Sequence, residues 1–173
     1  MKKIVLFAVS LITLGVIPAG AQVVTAYGDT VSTLSGIMKA YYDVVTVNKG
    51  GKVSYERDSC LHIKKAGVGI ISHGKDGKPA LHYITLKEYH KRSDTQLEKD
   101  GFDEREISRK VEQFGNMYHV WSTYESRNTA GGPVIERGIN SIELFFDGTR
   151  FWITSWTFDN ESKNNPLPEK YLQ

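Results

Sequence analysis

Apolar residues in the first half of the chain recur at helical spacing. Between residues 29 and 51 they lie three or four positions apart, as one face of a helix requires, and a Gly-Gly pair at 50–51 ends the pattern. These apolar positions are Leu34, Ile37, Met38, Tyr41, Val44 and Val45. Residues 53–65 are ambiguous, because Ser54, Asp58 and Ser59 could each cap a short second helix there. The sequence predicts a long amphipathic helix followed by a short one.

Two short strands and a further helix are predicted next. The apolar runs 68–71 and 81–84 are joined by turn-forming residues at 75–79, which is typical of a hairpin. Thr85 and Glu88 then have the spacing of a capping box, in which each side chain accepts a hydrogen bond from the backbone N–H of the other residue. We predict a surface helix from this point to Gly101.

The second half of the chain alternates as antiparallel strands do. We predict one antiparallel sheet formed by strands at 102–113, 117–127, 138–146 and 149–158. Gly115 opens a two-residue loop, which sets the register of the first two strands. The predicted pairs on the inner face are Val111 with Val120, Arg109 with Ser122, and Ile107 with Tyr124. Trp121 is then predicted on the outer face.

A second two-residue turn, Asp147-Gly148, predicts the register of the last hairpin. The predicted inner pairs are Leu144 with Phe151, Ile142 with Ile153, and Asn140 with Ser155. The outer face then carries Glu143, Arg150, Trp152, Thr154, Trp156 and Phe158. Such a mixture of aromatic and polar groups suits a partner surface better than open water.

The start of the chain predicts export. Lys2 and Lys3 precede an apolar run of about 14 residues, and small residues follow at 19–21, which is typical of a cleavable signal peptide over residues 1–21. The run is shorter than the ~20 residues that a membrane span needs. No cysteine follows that could carry a lipid anchor. We therefore predict a periplasmic or secreted protein without a membrane attachment.

Composition narrows the classes of partner. The chain of 173 residues has 22 basic and 20 acidic residues, and the leader holds two of the bases and no acid, so the mature chain carries no formal net charge. Nucleic-acid binding is not expected, because it needs a cationic excess to displace counterions from phosphates. The single cysteine, Cys60, excludes an internal disulfide and is expected to be a small buried group rather than a nucleophile. The length suits one domain, residues 22–159, with a polar tail at 160–173.

Several strings together resemble one superfamily. They are the first helix ending in Gly-Gly, the capped helix before Gly101, the strings HVWSTYE at 119–125 and RGINS at 137–141, and the Asp-Gly hairpin at 147–148. In these features the chain resembles the nuclear transport factor 2-like superfamily, and most of all exported bacterial members of its SnoaL-like branch. The resemblance implies an α+β cone, in which a curved antiparallel sheet wraps the N-terminal helices and leaves a pocket at its wide end, often in a homodimer.

The resemblance extends to enzymes and to ligand carriers, so the fold alone does not indicate a reaction. Its isomerase branch uses a first-helix tyrosine, an acidic base near the end of the second helical segment, and a protonated aspartic acid on a late strand. Tyr41 or Tyr42 could take the first role. Residues 60–66 and the inward positions on the late strands carry no acid, which argues against isomerase chemistry.

Inward polar residues predict a ligand pocket. They are Tyr41, Arg109, Ser122, Tyr124, Asn140 and Ser155. Because buried polar groups are costly unless paired, their number indicates either a pocket or an internal hydrogen-bond network. Arg109 favours an anionic ligand, unless it forms an ion pair with an acid such as Glu143 or Asp43.

The histidines give no metal signal. His62, His73, His82, His90 and His119 lack the spacing of a metal site, so no metal and no cofactor are predicted. His90 is an acid or base candidate or, more simply, an exposed residue of the third helix.

Three functions remain open at this point. We predict that the protein binds a small, partly apolar, anionic ligand, which needs only the pocket and Arg109. The alternatives are a SnoaL-like isomerase, cyclase or dehydratase, which also needs a titrating group beside its substrate, and an interaction module without a pocket. We also predict a homodimer through the outer sheet face, with contacts from Trp121, Trp152, Trp156 and Phe158, although Trp121 and Trp152 could instead stack on sugars or bases.

Overall fold

Three α-helices and two 3₁₀ turns make up the helical structure of residues 28–173, the part of the chain that the computed structural model describes. The predicted leader, residues 1–21, lies outside the described residues. The helices are α1 (Leu34–Val45), α2 (Tyr55–Ser59) and α3 (Leu86–Asp100), and the 3₁₀ turns are Gly28–Ser32 and Glu169–Tyr171. No helix in the described part is long and apolar enough to cross a membrane.

Polar side chains set where the helices begin. The Thr33 hydroxyl accepts from the Gly36 amide at 3.0 Å, so α1 begins later than the sequence pattern indicated. It also ends earlier, at Val45, because the β-branched residues that follow favour an extended chain, and Val47 pairs with Phe102. Ser54 caps α2 as expected. The predicted capping box of α3 is confirmed, with both reciprocal hydrogen bonds present.

A six-stranded sheet wraps the helices. Its order is β2-β1-β6-β5-β4-β3. The strands are β1 (His62–His73), β2 (Pro79–Thr85), β3 (Asp103–Phe114), β4 (Met117–Arg127), β5 (Glu136–Phe146) and β6 (Phe151–Asn160). The predicted hairpin of β1 and β2 and the antiparallel order of β3 to β6 are confirmed. The parallel pairing of β1 with β6 was not predicted.

The inner face of the sheet packs on α1. Ile37, Met38 and Tyr41 of α1 are buried against Ile142 and Trp156 of the late strands. Tyr41 meets Trp156 edge to face, with the ring centroids 5.9 Å apart. Aromatic side chains therefore fill much of the space between helix and sheet.

The register predicted for the hairpin of β3 and β4 is confirmed from the loop as far as Ser108. Phe114 pairs with Met117 across the loop that Gly115 opens, at φ +57°, and Val111 pairs with Val120 as predicted. A β-bulge at Ile107 breaks the alternation. Tyr124 consequently lies opposite Glu106 rather than opposite Ile107, and the residues before the bulge change faces.

The register of the second hairpin was predicted wrongly. The Asp147 carboxylate accepts hydrogen bonds from the backbone amides of Thr149 and Arg150, which makes a four-residue turn in place of the predicted two-residue turn. A second bulge follows, at Thr154. Ser155 therefore pairs with Glu143 on the outer face, and the inner positions are taken by its neighbours Trp156 and Phe158, opposite Ile142 and Asn140.

Candidate functional site

A cavity of about 340 Å³ lies between α1 and the first half of β3. One face of α1 contributes Met38 and Tyr42, and β3 contributes Glu104, Glu106 and Arg109. Glu104 and Glu106 lie on the inner face because of the bulge at Ile107, whereas Arg109 lies beyond the bulge at its predicted position. The cavity volume is at the lower end of the range for small-molecule sites.

A chain of hydrogen bonds crosses the sheet beneath this cavity. Asn140 Nδ2 donates to the Tyr42 hydroxyl at 3.3 Å, and the Tyr42 and Ser122 oxygens are 2.6 Å apart. The Ser122 hydroxyl donates to Glu106 Oε1, also at 2.6 Å. Because Ser122 has one proton and gives it to Glu106, Tyr42 must donate to Ser122. The phenol of Tyr42 is therefore satisfied on both sides before any ligand arrives.

Arg109 is also already engaged. Its guanidinium makes two hydrogen bonds to Glu106, through Nε at 2.9 Å and through Nη2. The ion pair considered from the sequence is thus present, but its partner is Glu106 and not Glu143 or Asp43. The positive charge of Arg109 is neutralised within the protein, so this residue is a weak anchor for an anion.

Glu104 is the titratable group of the site. It is partly buried on the inner face, opposite Ser126, and its Oε1 is 3.5 Å from Asn140 Nδ2. Burial raises the pKa of Glu104 to about 8, against the hydrogen bond from Asn140, which lowers it; the negative charge of Glu136 raises it by less than Asn140 lowers it. At neutral pH this carboxyl is protonated, and it then offers an O–H donor.

Tyr124 belongs to a second set of hydrogen-bonded side chains, also on the inner face of the sheet. Its hydroxyl donates to Asn160 Oδ1, and Asn160 Nδ2 donates to Glu136. The Tyr124 ring reaches Asn160 by passing over Gly138, which lies between them in the sheet. Burial raises the pKa of Glu136, although the hydrogen bond from Asn160 opposes the shift.

Replacing Gly138 by alanine tests this arrangement. A Cβ atom there would lie 2.4 Å from the Asp159 carbonyl oxygen and 2.6 Å from the Tyr124 hydroxyl, so strand β6 or Tyr124 must move. We expect Gly138→Ala to lower the free energy of unfolding by about 1–3 kcal/mol, measured by urea unfolding. Glu143→Ala, at an exposed position of the same strand, is the control. Equal unfolding of the two variants would contradict the close approach at Gly138.

The structure brings together some of the predicted pocket residues. Arg109, Ser122 and Asn140 share one network, and Tyr124 lies beside it. Tyr41 is buried in the aromatic core, and its neighbour Tyr42 holds the position in the network. Ser155 lies on the outer face and takes no part.

The predicted contact residues of the outer face also need correction. Trp156 is 4 % exposed and Phe158 packs against the core, so neither lies on the outer face. Trp121 does lie there, but Tyr171 of the C-terminal tail stacks on it with the ring planes 11° apart. Trp152 is on the outer face and partly exposed.

A buried cluster of aspartate and histidine lies under α2 and α3. Asp58 Oδ2 is 2.9 Å from His90 Nε2, and Asp94 is 3.0 Å from His90 Nδ1. Burial lowers the pKa of His90, but the hydrogen bonds with the two carboxylates outweigh burial, so the pKa is raised. His90 is 5 % exposed, which corrects the expectation of an exposed helix histidine. In residues 28–173 no cluster of His, Cys, Asp or Glu is arranged as a metal site.

The argument from the sequence considered acids only at residues 60–66 and at the inward positions of the late strands. The interior receives its acids from elsewhere, because the bulge at Ile107 turns Glu104 and Glu106 of β3 inward. Asp58 was considered only as a helix cap, and it is buried at 2 % exposure. The alternating acids in DERE, residues 103–106, were the available signal, but a bulge cannot be located from that pattern.

Comparison with known proteins shows the fold alone. No protein family model matches the chain, and no curated protein matches it. The yeast UBP3-associated protein BRE5 is 13 % identical, with 76 % of this chain and 98 % of that chain covered and a TM-score of 0.53. A putative ketosteroid isomerase from Parabacteroides distasonis ATCC 8503 is 11 % identical, with 79 % and 98 % covered and a TM-score of 0.50.

An NTF2-like protein of unknown function from Methylobacillus flagellatus KT is 14 % identical, with 73 % of this chain and 87 % of that chain covered and a TM-score of 0.48. With the curved sheet and few helices described above, the similarities to BRE5 and to the Parabacteroides protein confirm the α+β fold predicted from the sequence, which is that of nuclear transport factor 2-like proteins.

Proposed function

We propose that the protein binds a small, partly apolar organic ligand in the cavity between α1 and β3, and that Glu104 donates a hydrogen bond to an acceptor oxygen of that ligand. The observation that carries this proposal is the position of the Glu104 carboxyl at the wall of the cavity, where burial raises its pKa to about 8. Tyr42, Ser122 and Asn140 are satisfied by one another, whereas Glu104 has one long contact, at 3.5 Å, to Asn140.

The charge around the cavity favours a neutral ligand group over an anion. Arg109 is paired with Glu106, Lys39 with Asp43, and Arg105 with Glu125. Each cation near the cavity is thus neutralised within the protein. With no free cation at the cavity, a ketone or aldehyde oxygen of the ligand suits the Glu104 donor better than a ligand carboxylate does. The proposed ligand is therefore neutral, and not the anion that Arg109 predicted.

The pH dependence of ligand binding tests the role of Glu104. Acetophenone is a suitable probe because it has an apolar ring and one carbonyl oxygen. We expect its affinity, measured by calorimetry, to fall towards tenfold per pH unit above about pH 8, where Glu104 loses the proton that it donates. Glu104→Gln keeps a donor at every pH, so its affinity should not change between pH 6 and pH 9.

Two controls make this result specific. Ethylbenzene lacks the carbonyl oxygen and should bind without pH dependence. Glu112→Gln changes an exposed glutamate on the outer face of β3 and should keep the wild-type pH profile. Identical pH profiles for the wild type and Glu104→Gln would exclude Glu104 as the donor.

The second candidate is an enzyme that transfers a proton. A carboxyl with a pKa of about 8 can act as general acid or base near neutral pH, and it lies close to the phenol of Tyr42. The same titration separates the two candidates. Deuterium exchange at the carbon next to the carbonyl group of bound acetophenone, lost in Glu104→Gln, would favour the enzyme; binding without exchange favours the carrier.

Three further statements from the sequence stay predictions. They are the signal peptide with its periplasmic or secreted location, the domain limits, and the homodimer. A dimer through the outer face as predicted would require the tail to leave Trp121, because Tyr171 covers this ring.

A further inference from the structure

A second and larger cavity, of about 930 Å³, lies where β1 separates from β6. The two strands pair at His62 with Ile153 and again at Gly67 with Ser155, so β1 covers five residue steps while β6 covers two. The extra residues of β1 bulge away from the sheet. The cavity is this opening, and the first turn of α3 closes its other side. We call it the β1 groove.

The apolar wall of the β1 groove is held rigid without a ligand. Trp152 and Phe145 line it from the outer face of the sheet. The Trp152 indole N–H donates to Asp147 Oδ2 at 2.7 Å, and the Arg150 guanidinium lies 3.8 Å from the ring centroid. Arg150 is itself 2 % exposed. A ring fixed in this way loses little freedom when an aromatic ligand packs on it.

The polar rim of the β1 groove is basic. Lys64 and Lys65 lie in the bulge and Lys87 lies in the first turn of α3, and all three are exposed. Within residues 28–173 none of these three has a carboxylate partner; the lysines that form ion pairs are Lys39, Lys52 and Lys78.

Asp147 is the one acid among the described residues that line the groove, and its oxygens are occupied. Oδ1 accepts from the Thr149 and Arg150 amides, and Oδ2 accepts from Trp152. The three lysines therefore attract an anion without competition from a free carboxylate.

His62 closes the inner end of the groove. It is 4 % exposed, and its ring packs against Trp156 on the inner face of the sheet, with the ring centroids 5.1 Å apart. Its Nδ1 is 2.9 Å from the Asp58 carbonyl oxygen and donates to it. Its Nε2 is buried. A ligand in the groove therefore meets the lysines and Trp152, and not the nitrogen atoms of His62.

We infer that the β1 groove binds an organic anion with an aromatic body, such as an aryl carboxylate. The carboxylate meets Lys64, Lys65 and Lys87, and the ring packs on Trp152. This site does not depend on Glu104 or on the proposed function.

Three matched probes test this inference by fluorescence titration of the full protein. They are 6-hydroxy-2-naphthoate, 2-naphthoate and 2-naphthol. We expect the two naphthoates to bind with similar affinity, because the groove contacts only their ring and carboxylate. 2-Naphthol should bind about tenfold more weakly than either naphthoate, because it lacks the anion.

Variants assign the binding to the groove. Lys64→Gln with Lys65→Gln should weaken both naphthoates about tenfold and leave 2-naphthol unchanged, and added salt should weaken the naphthoates in the wild type. Lys110→Gln, at an exposed lysine on the outer face of β3, is the matched control and should bind all probes as the wild type does.

Three results would overturn the inference. One is 2-naphthol binding as tightly as the naphthoates. Another is a Lys64→Gln/Lys65→Gln variant that binds the naphthoates like the Lys110→Gln control. The third is the absence of saturable binding of every probe up to about 1 mM.

Discussion

The substitution Asp58→Ala is expected to lower the free energy of unfolding by about 3 kcal/mol. Asp58 is 2 % exposed and its carboxylate holds His90 Nε2 at 2.9 Å. Its removal leaves a buried imidazole N–H without a partner, and the loss of one partner from a buried pair is strongly destabilising. Urea unfolding at pH 6 measures the loss.

Asp94→Ala is the matched control for this prediction. It removes the other carboxylate partner of the same histidine, but the Asp94 side chain is 27 % exposed, so water can replace it. We expect a loss of about 1 kcal/mol. Similar losses for the two variants would contradict the central role of Asp58.

The loss from Asp58→Ala should also depend on pH. The folded-state pKa of His90 is raised above its usual 6.5. The stability that the carboxylates give to the charged ring is therefore fully present below pH 6.5 and is lost as the pH rises through the folded-state pKa. Asp58→Ala should cost more at pH 6 than at pH 9.

Glu104→Gln is expected to stabilise the protein increasingly as the pH rises. The pKa of Glu104 is about 8 in the folded chain against an ordinary 4.5. Between these values the unfolded chain has released the proton and the folded chain keeps it, so wild-type stability falls with pH by up to about 1.4 kcal/mol per unit. Above pH 8 the difference is constant, and we expect a total of at most about 5 kcal/mol between pH 4.5 and pH 8.

Chemical unfolding at several pH values between 5 and 9 measures this difference. Glu112→Gln, at an exposed position, should keep the wild-type pH dependence. Parallel stability curves for the wild type and Glu104→Gln would show that Glu104 ionises normally in the folded chain, and would remove the basis of the proposed binding role as well.

The acid–phenol site shows where prediction from sequence ends. Arg109 and Ser122 were placed on the inner face correctly, because strand alternation and the Gly115 turn are local and set their register. Asn140 was also placed correctly, because it alternates with Ile142 and Leu144 along β5. Glu104 was missed because a single extra residue at Ile107 reverses every face before it on β3. On β6, the longer turn and the bulge at Thr154 likewise reverse the predicted faces. Ser155 lies on the outer face, and Trp156 and Phe158 lie on the inner face.

The sequence by itself determined the local features of this protein. These are the capping box at Thr85, the loop of the β3–β4 hairpin, the order of helices and strands, and with them the α+β fold. Each depends on residues within a few positions of one another, so spacing and residue type suffice. Tertiary structure decided the parallel contact of β1 with β6, the bulges, and the burial of Glu104 and Asp58. These depend on which distant segments pack together, and packing sets both the strand irregularities and the cost of ionising a buried carboxyl.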